Sequence, residues 1–246
     1  EAAEKAGFEH FMMKEIHEQP KAVRDTVNSV VRDGKIDLGG VGITEEEIQK
    51  LQQIYIVACG SAYHVGVAAQ DVIEELAQIP VRVELASEFR YRRMLFAPNS
   101  LVIIVSQSGE TADSLAALRE AKAHGVKTLA IVNVVGSTIA READHVFYTL
   151  AGPEIAVATK AYSTQLIASY ILSIEFARVR GMIDEDRAAE LIAELQTIPD
   201  KIEKLLKDKE RIQWFAAKQM NAQNMFFIGR GIDYAVSLEG SLKMKE

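Results

Sequence analysis

Two periods of hydrophobicity alternate along this chain. Residues 101–105, LVIIV, form an unbroken apolar run that ends in the polar cluster SQSGET, and ADSLAALREAKAHG beyond it spaces its apolar positions as a helix does. Run, cluster and spaced segment predict a strand, a tight turn and a helix. The alternation recurs on both sides. It predicts further strands at 54–58, 81–84, 128–132 and 145–149, and helices at 62–77, 88–93, 112–123, 138–143 and 161–180, the last closed by Gly181. Five strands joined by helical crossovers imply an α/β fold: a doubly wound parallel sheet with right-handed connections and helices on both faces.

Residues 8–31 carry apolar side chains at helical spacing, with Pro20 predicted to separate two helical segments. Residues 34–42 are glycine-rich and read as a loop or short hairpin. Thr44 followed by three glutamates has the form of a capping box that opens a short helix to Gln52. Residues 184–217 read as a charged helical connector broken at Pro199, with Trp214 in a packing role, and 225–228 as a new apolar strand. There the fold starts again. IVACGSAYHVGVAAQ and FFIGRGIDYAVSLEG both read strand, glycine turn, helix, with Gly60 matching Gly231 and Tyr63 matching Tyr234. The expected division is a helical segment and linker at 1–52, a first α/β domain at 53–181, a connector at 182–219 and the start of a second copy at 220–246. With no initiator methionine and an amphipathic pattern still running at Glu246, the chain is expected to be a piece of a longer protein.

Composition narrows the class. The 246 residues suffice for one large or two small domains, and 48% hydrophobic with 26% charged residues is ordinary for a globular enzyme. Twenty-eight basic against 35 acidic residues leave a charge of −7, which argues against nucleic acid or an anionic membrane as the main partner. The local patch Arg90, Arg92 and Arg93 reads as a solvated or interface face. A single cysteine, Cys59, excludes an intramolecular disulfide and a thiolate zinc cluster and fits a reducing cytoplasm. No apolar run approaches the roughly 18 residues of a membrane helix, and the first residues lack a signal-peptide core.

The candidate chemistry lies at 106–111. In a parallel α/β sheet the loop leaving the carboxyl end of a strand faces the ligand crevice, and the helix after it begins with free amides. Ser106, Ser108 and Thr111 offer O–H donors, Gln107 offers N–H, and Gly109 lets the backbone bend inward. No lysine or arginine lies in the loop, so a phosphate would be held by neutral donors, which suits a small phosphosugar better than a triphosphate. Taken alone, S-x-S-G equally describes hydroxyls capping a helix beside a turn glycine. His10, His17, His64, His124 and His145 show no ligand spacing, no metal is assigned, and His64 could face pocket or solvent. Cys59, ending a buried strand, reads as a small residue lining the crevice.

Longer motifs give this loop an identity. SQSGETADSL, preceded by VELASEFRYR, followed by GPEIAVATKAYSTQ and opened by MMKEIHEQP, resembles the synthase part of the glutamine–fructose-6-phosphate aminotransferase (isomerising) family over essentially the whole chain. That part holds two sugar isomerase (SIS) domains in tandem, in keeping with the internal repeat. The resemblance implies phosphate binding by Ser106, Gln107, Ser108 and Thr111, and sugar contacts from Cys59, Gly60 and Ser61. Ala62 stands where the family commonly has serine. Val157 and Thr159 are implied sugar contacts in a loop, VATK, one hydroxyl residue shorter than the family's V-A-[S/T]-T-K. LEGSLKMKE matches the segment carrying a catalytic lysine and glutamate, at Lys243 and Glu246, whose spacing puts them on one helix face.

The implied reaction takes fructose 6-phosphate and ammonia from glutamine to glucosamine 6-phosphate without metal or redox cofactor. The glutamate moves a proton between C1 and C2. The implied partners are a glutaminase domain in the full-length protein and a second subunit in a homodimer. The family's ring-opening histidine, its imine-forming lysine and its glutaminase domain are absent from the sequence, so this piece is expected to bind sugar phosphate with impaired turnover. The sequence leaves two rival readings: a phosphosugar-sensing SIS module of a regulator, and a plain aldose–ketose isomerase. Neither needs MMKEIHEQP.

Overall fold

The computed structural model describes residues 4–246, so residues 1–3 of the expected first segment lie outside the described residues. Five parallel strands form the central sheet: β3 (Gln53–Ala58), β4 (Val81–Leu85), β5 (Ser100–Ser106), β6 (Lys127–Val132) and β7 (His145–Tyr148), in the order β4-β3-β5-β6-β7. A two-stranded hairpin, β1 (Val31–Arg32) with β2 (Lys35–Ile36), precedes it. The doubly wound α/β architecture expected from the pattern is the one observed.

The inner strands β3, β5 and β6 are largely apolar because both faces are covered, and alternate residues go to opposite sides. Ile54, Ile56, Leu101, Ile103, Leu129, Ile131 and Phe147 belong to one core. It is covered by α1 (Phe11–Val30), α3 (Ser61–Ala77), α7 (Lys160–Val179) and α8 (Glu185–Leu206). Tyr55, Val57, Val102, Ile104, Ala130 and Val132 belong to the other, under α4 (Ala86–Phe89), α5 (Ala112–Ala123) and α6 (Thr138–Glu142). Val23 and Val27 of α1 and Ile192 and Leu195 of α8 share the first core with the sheet. Thr44 caps α2 (Glu45–Lys50) with the expected reciprocal box: its hydroxyl accepts from the Glu47 amide, and the Glu47 carboxylate accepts from the Thr44 amide.

Four sequence expectations change. Pro20 does not divide the first helix. α1 runs unbroken through it, and the Ile16 carbonyl that proline cannot serve accepts the Gln19 side-chain amide at 3.2 Å. Pro199 likewise sits buried inside a continuous α8, and the chain instead breaks at Lys207–Asp208 before α9 (Lys209–Gln219). Residues 225–228 are not a strand: a strand needs a hydrogen-bonded neighbour, none of the described residues supplies one, and Ile228 is left 89% exposed. Trp214 is exposed, with the Lys218 ammonium over its ring at 3.8 Å, and packs into no core.

The repeat is visible in the backbone. Gly60 opens α3 at φ 56°, ψ −136°, and Gly231 opens α10 (Ile232–Lys245) at φ 58°, ψ −137°, a region open to glycine almost alone.

Candidate functional site

Strand order sets the place of the site. The chain runs from β3 outward to β4, then crosses back to β5 on the other side of β3. The connections that leave the carboxyl ends of β3 and β5 therefore diverge, and a crevice opens between them, where ligands of open α/β sheets bind. Cys59, Ser61 and Ala62 follow β3, Ser106 ends β5, and Gln107, Ser108 and Thr111 follow it. All seven line one polar cavity of about 310 Å³. A second cavity, about 450 Å³ between α3, α7 and α8, is lined almost wholly by apolar side chains and offers little to bind an anion.

The loop after β5 is held from inside. Ser106, buried, lies 3.1 Å from the Thr111 hydroxyl, and its own hydroxyl accepts the Gly109 amide at 3.1 Å. Gly109 takes φ +66°, and a methyl group there would lie 2.0 Å from the Ser137 hydroxyl. Thr111 stands at the N-cap of α5 without making a side-chain capping bond, so its hydroxyl is not consumed by the helix end. Thr111 itself stands in the cavity wall.

Three cavity residues carry no obvious signal in the sequence. Ser114, on the first turn of α5, is 1% exposed, and its hydroxyl has no hydrogen-bond partner. Gln165 and Ala158 line the cavity from α7 and the loop before it. Val157 and Thr159, the expected sugar contacts, are not in the wall. They flank Ala158, and the Thr159 hydroxyl donates to the Val157 carbonyl at 2.9 Å.

The last helix brings its carboxylates inward. Glu246 lines the cavity and pairs with Lys243, which itself lies 3.6 Å from Glu239. Glu239 is only 7% exposed: one oxygen accepts from the Ser61 hydroxyl at 2.8 Å and the other lies 2.8 Å from His64 Nδ1. A carboxylate can only accept, so Nδ1 carries the proton and His64 is turned into the structure. The sequence signal for Glu239 was available: it precedes Lys243 by one helical turn and Glu246 by two, on one face. Nearby, burial and the Glu239 charge push the Tyr162 phenol up to about 12, and the phenol oxygen has no partner. Among the described residues, no group of three or more His, Cys, Asp and Glu side chains is gathered as a metal site, and no helix is long and apolar enough to cross a membrane.

Comparison with known proteins agrees with this geometry. Residues 47–174 match the SIS domain family. Over 248 residues the chain is 55% identical to glutamine–fructose-6-phosphate aminotransferase (isomerizing) of Caldanaerobacter subterraneus subsp. tengcongensis, covering all of this chain and 41% of that protein. It is also 55% identical over 248 residues to the protein of the same name from Clostridium tetani, again with 41% of the relative covered. The chain thus spans about two fifths of these curated relatives. The solved C-terminal domain of glucosamine-fructose-6-phosphate aminotransferase from Francisella tularensis superposes with a TM-score of 0.95 at 39% identity, over 99% of this chain and 69% of that one.

Proposed function

Because the chain belongs to the glutamine–fructose-6-phosphate aminotransferase family, within its SIS-domain part, we propose that its crevice takes fructose 6-phosphate and serves its conversion to glucosamine 6-phosphate. The observation that carries this reading is that Glu246 lines the same cavity as Ser106, Ser108 and Thr111. A phosphate donor set and a carboxylate share one space.

Ser106, Gln107, Ser108 and Thr111, with the amides opening α5, hold the 6-phosphate by neutral donors, which permits product release. Cys59, Ser61 and Ala62 border the sugar from the β3 side, and Gly60, the expected contact outside the cavity wall, makes the turn that opens α3. Ammonia released from glutamine adds at C2 of the open-chain ketose, and loss of water leaves an imine. Glu246 then takes a proton from C1 and returns it to C2 while the C1 hydroxyl proton passes to the nitrogen, converting the C2 imine of the ketose into the C2 amine of the aldose, and Lys243 beside it balances the charge. In the whole protein a glutaminase domain supplies the ammonia and two such subunits associate in a cytoplasmic homodimer. The 246 residues themselves bind the sugar phosphate with little turnover.

Calorimetry with fructose 6-phosphate on this polypeptide tests the binding part, and saturable binding is expected. In a complete protein carrying this sequence, Glu246→Gln should abolish glucosamine 6-phosphate formation and leave binding in place. Turnover undiminished in that variant overturns the assignment.

A further inference from the structure

The motif MMKEIHEQP lies before the residues matched by the SIS family, on α1, and none of its side chains reaches the cavity wall. Glu15 of the motif meets the loop between β7 and α7 all the same, and Glu18 and Gln19 meet the first turn of α7. Glu15 is 2% exposed. One of its oxygens accepts the Ile155 amide at 2.6 Å and the Ala156 amide at 3.2 Å, and the other accepts the Ala156 amide at 3.2 Å. One turn on, Glu18 meets the ammonium of Lys160, the buried first residue of α7, at 2.5 Å, and Gln19 accepts the Ser163 hydroxyl at 2.6 Å. From within the loop, Glu154 accepts the amides of Thr159 at 2.9 Å and Ala161 at 3.2 Å. Burial raises the Glu154 carboxyl above its ordinary range in spite of those bonds.

These contacts have one residue at their centre. Ala158 is the loop residue in the cavity wall, and the backbone is pinned at 155–156 before it and at 159–161 after it. A buried carboxylate is costly unless its oxygens are satisfied. Glu15 is satisfied chiefly by loop amides, so the loop has a low-energy position only where it meets α1. We infer that Glu15 is a positioning residue: it fixes the loop carrying Ala158 at the distance from the phosphate donors that a six-carbon sugar phosphate fills. This rests on the phosphosugar reading of the cavity. It assigns α1, outside the SIS match, a share in the selectivity for the sugar as distinct from its phosphate.

The test separates the two ends of the ligand. Fructose 6-phosphate and inorganic phosphate are titrated into the polypeptide and into Glu15→Ala, Glu15→Asp, Glu15→Gln and Ser108→Ala. Glu15→Ala should weaken fructose 6-phosphate by about tenfold and leave inorganic phosphate unchanged. Glu15→Asp withdraws the oxygens by about one C–C bond, ~1.5 Å; it keeps the charge, gives the test a conservative variant should the alanine protein not fold, and should show the same selective loss, smaller. Glu15→Gln keeps one acceptor and should recover most of the affinity. Ser108→Ala should weaken both probes. Unchanged fructose 6-phosphate affinity in both Glu15→Ala and Glu15→Asp, or equal loss of both probes, overturns the inference while leaving the phosphosugar reading intact. Failure of the unaltered polypeptide to bind either probe overturns that reading, and the inference with it.

Discussion

The hydroxyl of Ser61 donates to a carboxylate oxygen of Glu239 at 2.8 Å across 178 residues of chain. It joins the first turn of α3 to α10, the two helices opened by the repeated glycine turn. With the His64 contact on the other oxygen, this is a two-point attachment that sets where Glu246, two turns further on, enters the cavity. Glu239→Ala strips both partners of their acceptor. It should destabilise the docking of α10 by about 1–3 kcal/mol, read as faster proteolysis within 220–246, and it should leave inorganic phosphate binding at the β5 loop unchanged. Protection equal to that of the unaltered chain refutes the attachment.

The donors of the phosphate loop should not contribute alike. Ser108→Ala and Thr111→Ala each remove one hydroxyl and should each cost about 1–3 kcal/mol of phosphosugar affinity by calorimetry. Ser106→Ala should in addition lower stability in denaturant, because the buried Gly109 amide loses its acceptor. Ser114→Ala deletes a buried hydroxyl with no partner in the protein, so stability should hold or rise slightly. Affinity unchanged in both Ser108→Ala and Thr111→Ala defeats the phosphate assignment.

How much of this was legible in the sequence depends on the range of the interaction. The strand at 101–105 and the turn after it are dictated by neighbours in sequence, and the structure places them as read. The Thr44 capping box is equally local. Pro20 misleads because its missing N–H is made good by a side chain, Gln19, that no periodicity reports. The strand read at 225–228 fails for the opposite reason: β-structure is a property of pairs, and a short apolar run alone cannot supply the partner. Glu15 reads as a polar helix residue until the loop at 155–156, some 140 residues on, is folded against it. Val157 and Thr159 read as sugar contacts only through the family resemblance; which residue of 157–159 faces the cavity is set by the fold of the loop, and it is Ala158.

Gly109 is predicted to be irreplaceable on two separate grounds. Its φ of +66° strains any side chain, and a Cβ would lie 2.0 Å from the Ser137 hydroxyl and 2.5 Å from its Cβ. Gly109→Ala should cost on the order of 3 kcal/mol or more and abolish phosphosugar binding. The double variant Gly109→Ala, Ser137→Gly removes the clash and leaves the strain, so denaturant unfolding should show partial recovery, with a coupling of the two changes that distant sites lack. Additive losses in that cycle refute the contact.

Tyr162 gives a prediction with a definite sign. An unfolded tyrosine ionises near pH 10, about its ordinary value. In the folded chain burial, with the Glu239 charge added, keeps the Tyr162 phenol neutral up to about 12. The folded state therefore retains a proton that the unfolded state gives up. By linkage this contribution to stability is fully present below about pH 10 and is lost as pH rises from there toward 12. Tyr162→Phe removes the group that resists ionisation. Unfolding free energy measured across that window should fall less steeply in the variant, and the near-ultraviolet titration of tyrosinate should lose its latest component. Identical slopes and identical titration curves would show that the phenol is open to solvent and not buried in the folded chain.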